Sequence, residues 1–377
     1  MSWQRKRLGE IADLCLGKML DQKKNRGEML PYLANVNVRW GVFDLDDLRQ
    51  MPFELHESER YGLKFGDIVM CEGGEPGRCA IWKDNVPGMM IQKALHRIRP
   101  GEAVDHRFLY YSFLLKGKNG EFAGLFTGST IKHLTGQNLA KVEIAFPSKP
   151  DQEKIAGMLS AYDDLIENNR RRIELLEQSA RLLHREWFVH LRFPGHEHVR
   201  VVDGVPEGWS RIPLGEALTL QRGFDLPAND RQHGEIPVYA ATGIHGLHNK
   251  AMVHGPGVIT GRSGSLGKVL YSPRDFWPLN TTLWVKEFKR VTPEFAYFLL
   301  AGLGLAQFNG GAAVPTLNRN DVHRIEILLP PKNWIDEFTQ VALLQLSQID
   351  KLSELNIKLN EARDLLLPRL MTGELAV

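Results

Sequence analysis

Cysteine is scarce in this chain: Cys15, Cys71 and Cys79 are the three among 377 residues, all in the first half and none in C-x-x-C spacing. That argues against a disulfide framework and against a cysteine zinc site, and reduced thiols are expected. Long apolar runs are lacking too. No stretch reaches the ~18 to 20 residues of a membrane span, and the start, MSWQRKRLGE, has no signal-peptide core, so a cytoplasmic protein without a membrane partner is expected. Charge of one sign is not in excess. A net +2 does not announce a polyanionic partner, so a nucleic-acid face must come from local clusters such as Arg5, Lys6, Arg7, Lys18, Lys23, Lys24 and Arg26.

Catalytic motifs are missing as well. GRSGSLGK, from Gly261, is not a phosphate loop: five residues separate its first Gly from Gly-Lys where four are needed, and Val269 follows where Ser or Thr belongs. It reads as a tight turn between two strands, whose small residues let backbone N–H groups and Arg262 approach a DNA backbone or base edge. Asp275 with Glu287-Phe288-Lys289 imitates a metal-dependent nuclease set, but the first half of the chain has no counterpart. His190, His196 and His198 lack a Cys or carboxylate at ligand spacing and read as solvated, so no metal is expected. No Gly-rich methyl-donor loop and no Asn- or Asp-Pro-Pro-Tyr motif is found. The chain reads as non-catalytic and free of cofactors.

What is there is a repeat. Trp3 with Arg7-Leu8-Gly9-Glu10 is answered by Trp209 with Pro213-Leu214-Gly215-Glu216, at an offset of 214 − 8 = 206. GDIVMCEGGEPGRCAIW from Gly66 is answered by GVITGRSGSLGKVLY from Gly257, and RFLYYSFLL after His106 by EFAYFLL after Pro293. GSTIKHLTGQNLAKVEIAFPSKP from Gly128 matches GAAVPTLNRNDVHRIEILLPPKN from Gly311, now at 311 − 128 = 183. LANVNV, DIVMC, RCAIW and VEIAF read as strands of the first copy and residues 105–116 as a helix capped by Asp105. IPVYA, GVIT, KVLY, TLWVK and IEILL, around a helix from Thr292, do the same in the second.

Each copy closes on a long helix. In residues 151–187 the apolar seam runs Ile155, Leu159, Tyr162, Ile166, Asn169, Ile173, Leu176, Ala180, Leu183, Trp187, with steps that alternate four and three. That heptad spacing belongs to a helix lying along another helix, here a rod of roughly 50 Å. Its partner is the segment 335–367, with Phe338, Ala342, Gln345, Ile349, Leu352, Asn356 and Leu359, continued by Ala362 and Leu366. Each seam contains an Asn, a choice that weakens a coil and fixes its register. The expected fold is mixed α/β: two repeated domains, the first at residues 1–150 and the second, with its connector, at 194–333, with helices at 151–193 and 334–377 paired as an antiparallel coiled coil.

These residues carry a resemblance. YLANVNVRWGVFDLDDL, CEGGEPGRCAIW and IQKALHRIRP resemble one type of target-recognition domain, and TGRSGSLGKVLY followed by WPLNTTLWV resembles another. The segment DQEKIAGMLSAYDDLIENNRRRIELLEQSARLLHREWF, then LRFPG and PEGW, is similar to the central conserved region of the specificity subunit of type I restriction-modification systems, and LLLPRLMTGEL to its distal one. The resemblance implies that each head reads one half of a split, asymmetric double-stranded DNA site while the helices act as spacer. It also implies two methyltransferase subunits that bring S-adenosylmethionine, and motor-nuclease subunits that use ATP and magnesium, none of which this chain would bind. It places DNA contacts on loops of the heads. The candidates are Lys23, Lys24, Arg39, Arg78, Lys93, Lys132 and His133 in the first, and Arg222, Arg262, Ser263, Lys268, Asn280, Thr281, Asn318 and Arg319 in the second. Two other readings stand beside this one: a nuclease or methyltransferase acting alone, and a two-headed scaffold that binds protein.

Overall fold

The structure is a computed structural model that describes residues 3–21, 23, 25–311, 315–375 and 377. The chain divides into two units, Met1–Glu167 with Ile357–Val377, and Asn168–Asn356. The division falls inside both long helices, Lys149–His184 and Lys332–Met371, so each unit holds one head and a part of each helix.

In the first unit a four-stranded antiparallel sheet runs in the order Ala12–Leu16, Leu95–Pro100, Ile68–Cys71, Cys79–Ile81. Its strand Ile68–Cys71 is buried at every position, as an internal strand covered on both faces must be. A second sheet sets Glu28–Leu33 between Arg49–Phe53 and Met90–Ile91, the last pairing parallel. Gln4–Arg7 pairs with Glu143–Phe146 at the base. The helix His106–Lys118 starts where expected: the Asp105 carboxylate accepts from the N–H groups of Arg107 and Phe108, both at 3.0 Å. Phe108, Leu109 and Phe113 then pack with Ile155 and Leu159 of one long helix and Leu367 and Leu370 of the other.

The second unit repeats this topology and adds one two-stranded sheet, Val201–Val202 with Val205–Pro206. Its four-stranded sheet is Leu218–Arg222, Thr282–Phe288, Gly257–Gly261, Val269–Ser272; its three-stranded sheet is Gly243–His248, Ile236–Ala240, Trp277–Pro278, again with one parallel pair. Thr292 caps the helix Pro293–Gly302 through Phe295 N–H at 3.2 Å. Phe295 and Phe298 of that helix pack with Ala180, Phe338 and Ala342 of the helix pair and with Phe188, in the turn that follows the first long helix.

The two long helices run antiparallel, because the contact partner falls as the position rises. Asp163 pairs with Arg363 in the first unit; in the second Asn169 meets Asn356, and Ser179 meets Gln345. Every seam residue expected from the heptads is buried or half-buried. The two seam asparagines find each other, the Asn169 amide donating to the Asn356 carbonyl oxygen at 2.9 Å. That bond specifies register where apolar pairs would not. Each head is tied to its part of the pair by polar contacts: Tyr111 hydroxyl to Asp163 at 2.7 Å and Lys118 to Asp364 at 2.7 Å in one, Arg274 to Asp350 and Glu354, both 2.7 Å, in the other.

Three local expectations are corrected. LANVNV is not one strand: the strand ends at Leu33 and Asn35–Asn37 forms a 3-10 turn, held by Asn37, whose side chain accepts from Ala34 N–H and donates to Asp44 carbonyl. Lys18 does not belong to a solvent-facing basic cluster; it is buried, paired with Glu57 at 2.5 Å and set over the Phe53 ring. The Gly66 and Gly257 segments match one residue out of the assumed phase, because Met70 pairs with Cys79 as Thr260 pairs with Val269, an offset of 190 where Gly66 to Gly257 gives 191.

Candidate nucleic-acid interface

The second head concentrates cations in one cleft. The turn 262–268 joins two antiparallel strands, and Gly264 and Gly267 take φ of 85° and 88°, which a side chain would strain. At Gly261 a Cβ would fall 1.9 Å from the Ser265 carbonyl oxygen. A strand leading into a tight turn and a second strand, with no helix after it, is not a phosphate loop. The start of the turn is clamped: Arg262 N–H donates to Thr281 carbonyl at 2.8 Å, and Arg262 carbonyl accepts from Leu317 N–H at 2.8 Å. Its guanidinium donates from Nη1 to the Asn280 carbonyl at 3.4 Å. Arg222 arrives from the end of its strand, and Arg319 opens the short helix Arg319–His323, capped by the Asn318 side chain on Asn320 N–H at 3.0 Å.

Together Arg222, Arg262, Thr316, Asn318, Arg319 and Asp321 line a cleft of about 600 Å³. Three arginines and one aspartate line it, and the Asp321 carboxylate is paired with Arg324 at 3.3 Å, so the cleft favours an anionic or acceptor-rich ligand. His323, on the same short helix, accepts from Leu220 N–H at 2.8 Å; burial, then the charges of Lys289 and Arg319, lower its pKa and keep it an acceptor. Ser263 and Thr281 flank Arg262, Ser263 bridging to Thr316, while the buried Thr281 hydroxyl has no partner among the described residues. Asn280 donates its amide to Asp225, and Lys268 donates to Thr242 carbonyl at 2.9 Å outside the cleft. Asp225 and Asp321 were not anticipated. Only folding shows that Asp225 lies by Asn280 and Asp321 in the cleft.

The first head repeats the scaffold with different side chains. Its turn 72–78 has Gly74 and Gly77 at φ 82° and 93°. His133 packs on it, since a Cβ at Gly73 would lie 3.1 Å from His133 Nδ1, and His133 also bridges to Thr127, which leaves Lys132 exposed at the tip of its loop. Lys93 occupies the position that Asn280 holds in the second head, the residue before Ala94 as Asn280 precedes Thr281. Arg78 is committed to structure: it donates to Asn35 carbonyl at 3.0 Å and pairs with Glu75, and its side chain is 14% exposed. Arg39 is exposed beside this turn, on a loop that donates Gly41 N–H to Cys79 carbonyl. Lys23 lies on a separate loop with its N–H on Asp21, and Lys24 falls outside the described residues.

The nuclease candidates do not converge. Asp275 accepts from Gly255 N–H at 3.0 Å and meets His254, Glu287 accepts from the Thr219 hydroxyl, and Lys289 donates to Gly215 carbonyl. Among the described residues no group of His, Cys, Asp or Glu is arranged to hold a metal, and no helix is long and apolar enough to cross a membrane.

Two heads of one topology, each with a loop-built polar face and each seated on a shared pair of antiparallel helices, define a bipartite recognition protein. The chain belongs to the family of type I restriction modification DNA specificity domains, whose model matches twice, over residues 1–178 and 206–362. Among curated relatives it is 27% identical over 341 residues to the type I restriction enzyme MjaIX specificity subunit of Methanocaldococcus jannaschii, covering 83% of this chain and 78% of that one. It is 20% identical to the HindI specificity subunit of Haemophilus influenzae, over 88% and 90% of the two chains. The crystal structure of a type I restriction-modification S subunit from M. genitalium shares the fold, with TM-score 0.62, 20% identity and coverage of 98% and 96%.

Proposed function

We propose that this chain is the non-catalytic reader of a type I restriction-modification complex, in which each head recognises one half of a split, asymmetric duplex site. Residues 1–150 and 194–333 act as the readers. The helix pair sets the gap between half-sites and docks two methyltransferase subunits, and motor-nuclease subunits join for cleavage. The observation that carries this reading is the arginine-lined cleft of the second head, built from the ends of several strands and loops on a scaffold the first head repeats. Arg262 is suited to a bidentate contact with guanine O6 and N7, worth about 1 to 3 kcal/mol of discrimination. Arg222 and Arg319 are suited to phosphate, and each phosphate neutralised adds about 0.9 to the salt slope of binding.

The test is duplex binding by the full chain as salt is raised, together with transfer of labelled methyl groups from S-adenosylmethionine. Binding should weaken steeply with salt, and transfer should occur only when modification subunits are added. Transfer by the chain alone would sink the reading, and salt-independent retention would favour a protein-binding scaffold.

A further inference from the structure

Strand register, positive-φ glycines and two backbone bonds at the start of each turn align the two Gly-rich turns. The offset of 190 that relates Met70 to Thr260 and Cys79 to Val269 also relates Gly74 to Gly264 and Gly77 to Gly267, which share positive φ. By that offset Glu72 stands in the place of Arg262. Its backbone makes the same two bonds: Glu72 N–H donates to Ala94 carbonyl at 2.8 Å, and Glu72 carbonyl accepts from Leu134 N–H at 2.8 Å, as Arg262 does with Thr281 and Leu317.

The surroundings change with it. Lys18 bridges to Gln92 as Phe224 bridges to Leu279, so Arg222 corresponds to Leu16; Leu134 corresponds to Leu317, so Arg319 corresponds to Gly136 and Asp321 to Asn138. The first head therefore sets a carboxylate where the second sets an arginine, and carries no cation at the two flanking places. Glu72 is half-buried, and its carboxylate has no hydrogen-bond or ion-pair partner among the described residues. The neighbouring titratable group is His96, buried and held on Leu134 carbonyl at 2.8 Å.

A carboxylate facing DNA is repelled by phosphate and by the acceptor edges of guanine and thymine. In the major groove it can accept only from the amino groups of cytosine or adenine, and beside adenine it also meets the N7 lone pair, which cytosine lacks. Resting on the DNA-reading proposed above, we infer that Glu72 is a specificity-determining residue that accepts a hydrogen bond from a cytosine N4 amino group in the half-site read by the first head. The two heads thus use one backbone position to read bases of opposite hydrogen-bonding character.

The experiment determines the methylated motif from a randomised duplex library, using the full chain assembled with its modification subunits. The wild-type complex should return a split site with cytosine at one position of one half. Glu72→Ala should relax that position, with discrimination falling on the order of ten-fold. Glu72→Gln, close in size, should move it toward adenine, because an amide pairs with N6 and N7 together. In both variants the other half should stay as in wild type, which also reports that the protein has folded. A motif unchanged by both substitutions overturns the inference, and so does equal loss in the two halves. Failure of the underlying reading looks different: the wild-type complex would then return no split site. A split site that ignores Glu72 but loses one position in the other half with Arg262→Ala removes the inference and keeps the reading.

Discussion

His184 sits near the end of the first long helix, 6% exposed, with the rings of Phe188, Phe295, Phe298 and Phe338 at centroid distances of 5.2 to 6.2 Å. Its Nε2 has no partner among the described residues. Burial alone lowers its pKa from 6.5 to about 4, so the ring is neutral in the folded protein. The unfolded chain takes up a proton below about 6.5 and the folded chain does not until about 4, so stability held in full above the first value is lost as pH falls toward the second. A gap of about 2.5 units at 1.36 kcal/mol per unit amounts to about 3 kcal/mol. His184→Met, which cannot titrate, should therefore gain on wild type by about that amount between pH 7 and pH 4. The assay is urea unfolding at a series of pH values, followed by tryptophan emission, to which Trp187 and Trp334 beside this cluster contribute. Carboxylate titrations are common to both proteins and cancel in the difference. A difference that does not vary with pH would refute the claim that the imidazole is buried without a partner.

Two further outcomes follow from the helix pair. Asn169→Ala removes the bond to Asn356 and should lower stability by about 1 to 2 kcal/mol, whereas replacing both by Leu should restore stability at the expense of register, read as mixed cross-linking between cysteines placed on the two helices. Adding seven residues to each long helix at facing levels preserves the seam and lengthens each helix by roughly 10 Å, so the gap in the methylated motif should grow by up to about three base pairs; an unchanged gap in an assembled double insert would show that the helices do not set it.

Much of the fold was legible because it is periodic or repeated. The heptad seam located both long helices within a few residues of Lys149–His184 and Lys332–Met371, and the paired asparagines marked a contact that sequence can suggest but not measure. The site was less legible. Charge alone nominated Arg39, Arg78, Arg262 and Lys268, and each donates to a backbone carbonyl, a role set by where the neighbouring loops fold. Lys18 looked like part of a basic run and is buried on Glu57. Matching Gly66 to Gly257 set Cys71 opposite Arg262 and hid Glu72; strand register, which sequence does not display, moved the match by one residue. A search for cations also passes over a carboxylate as a DNA reader.

Each head should read its half of the site independently of the other. This is tested by replacing residues 1–150 with the corresponding head of another family member, assembling the chimaera with the same modification subunits, and sequencing the methylated motif. One half of the motif should change to that of the donor, while the other half stays as in the parent. A motif changed in both halves, or in neither, would contradict the division of recognition between the two heads.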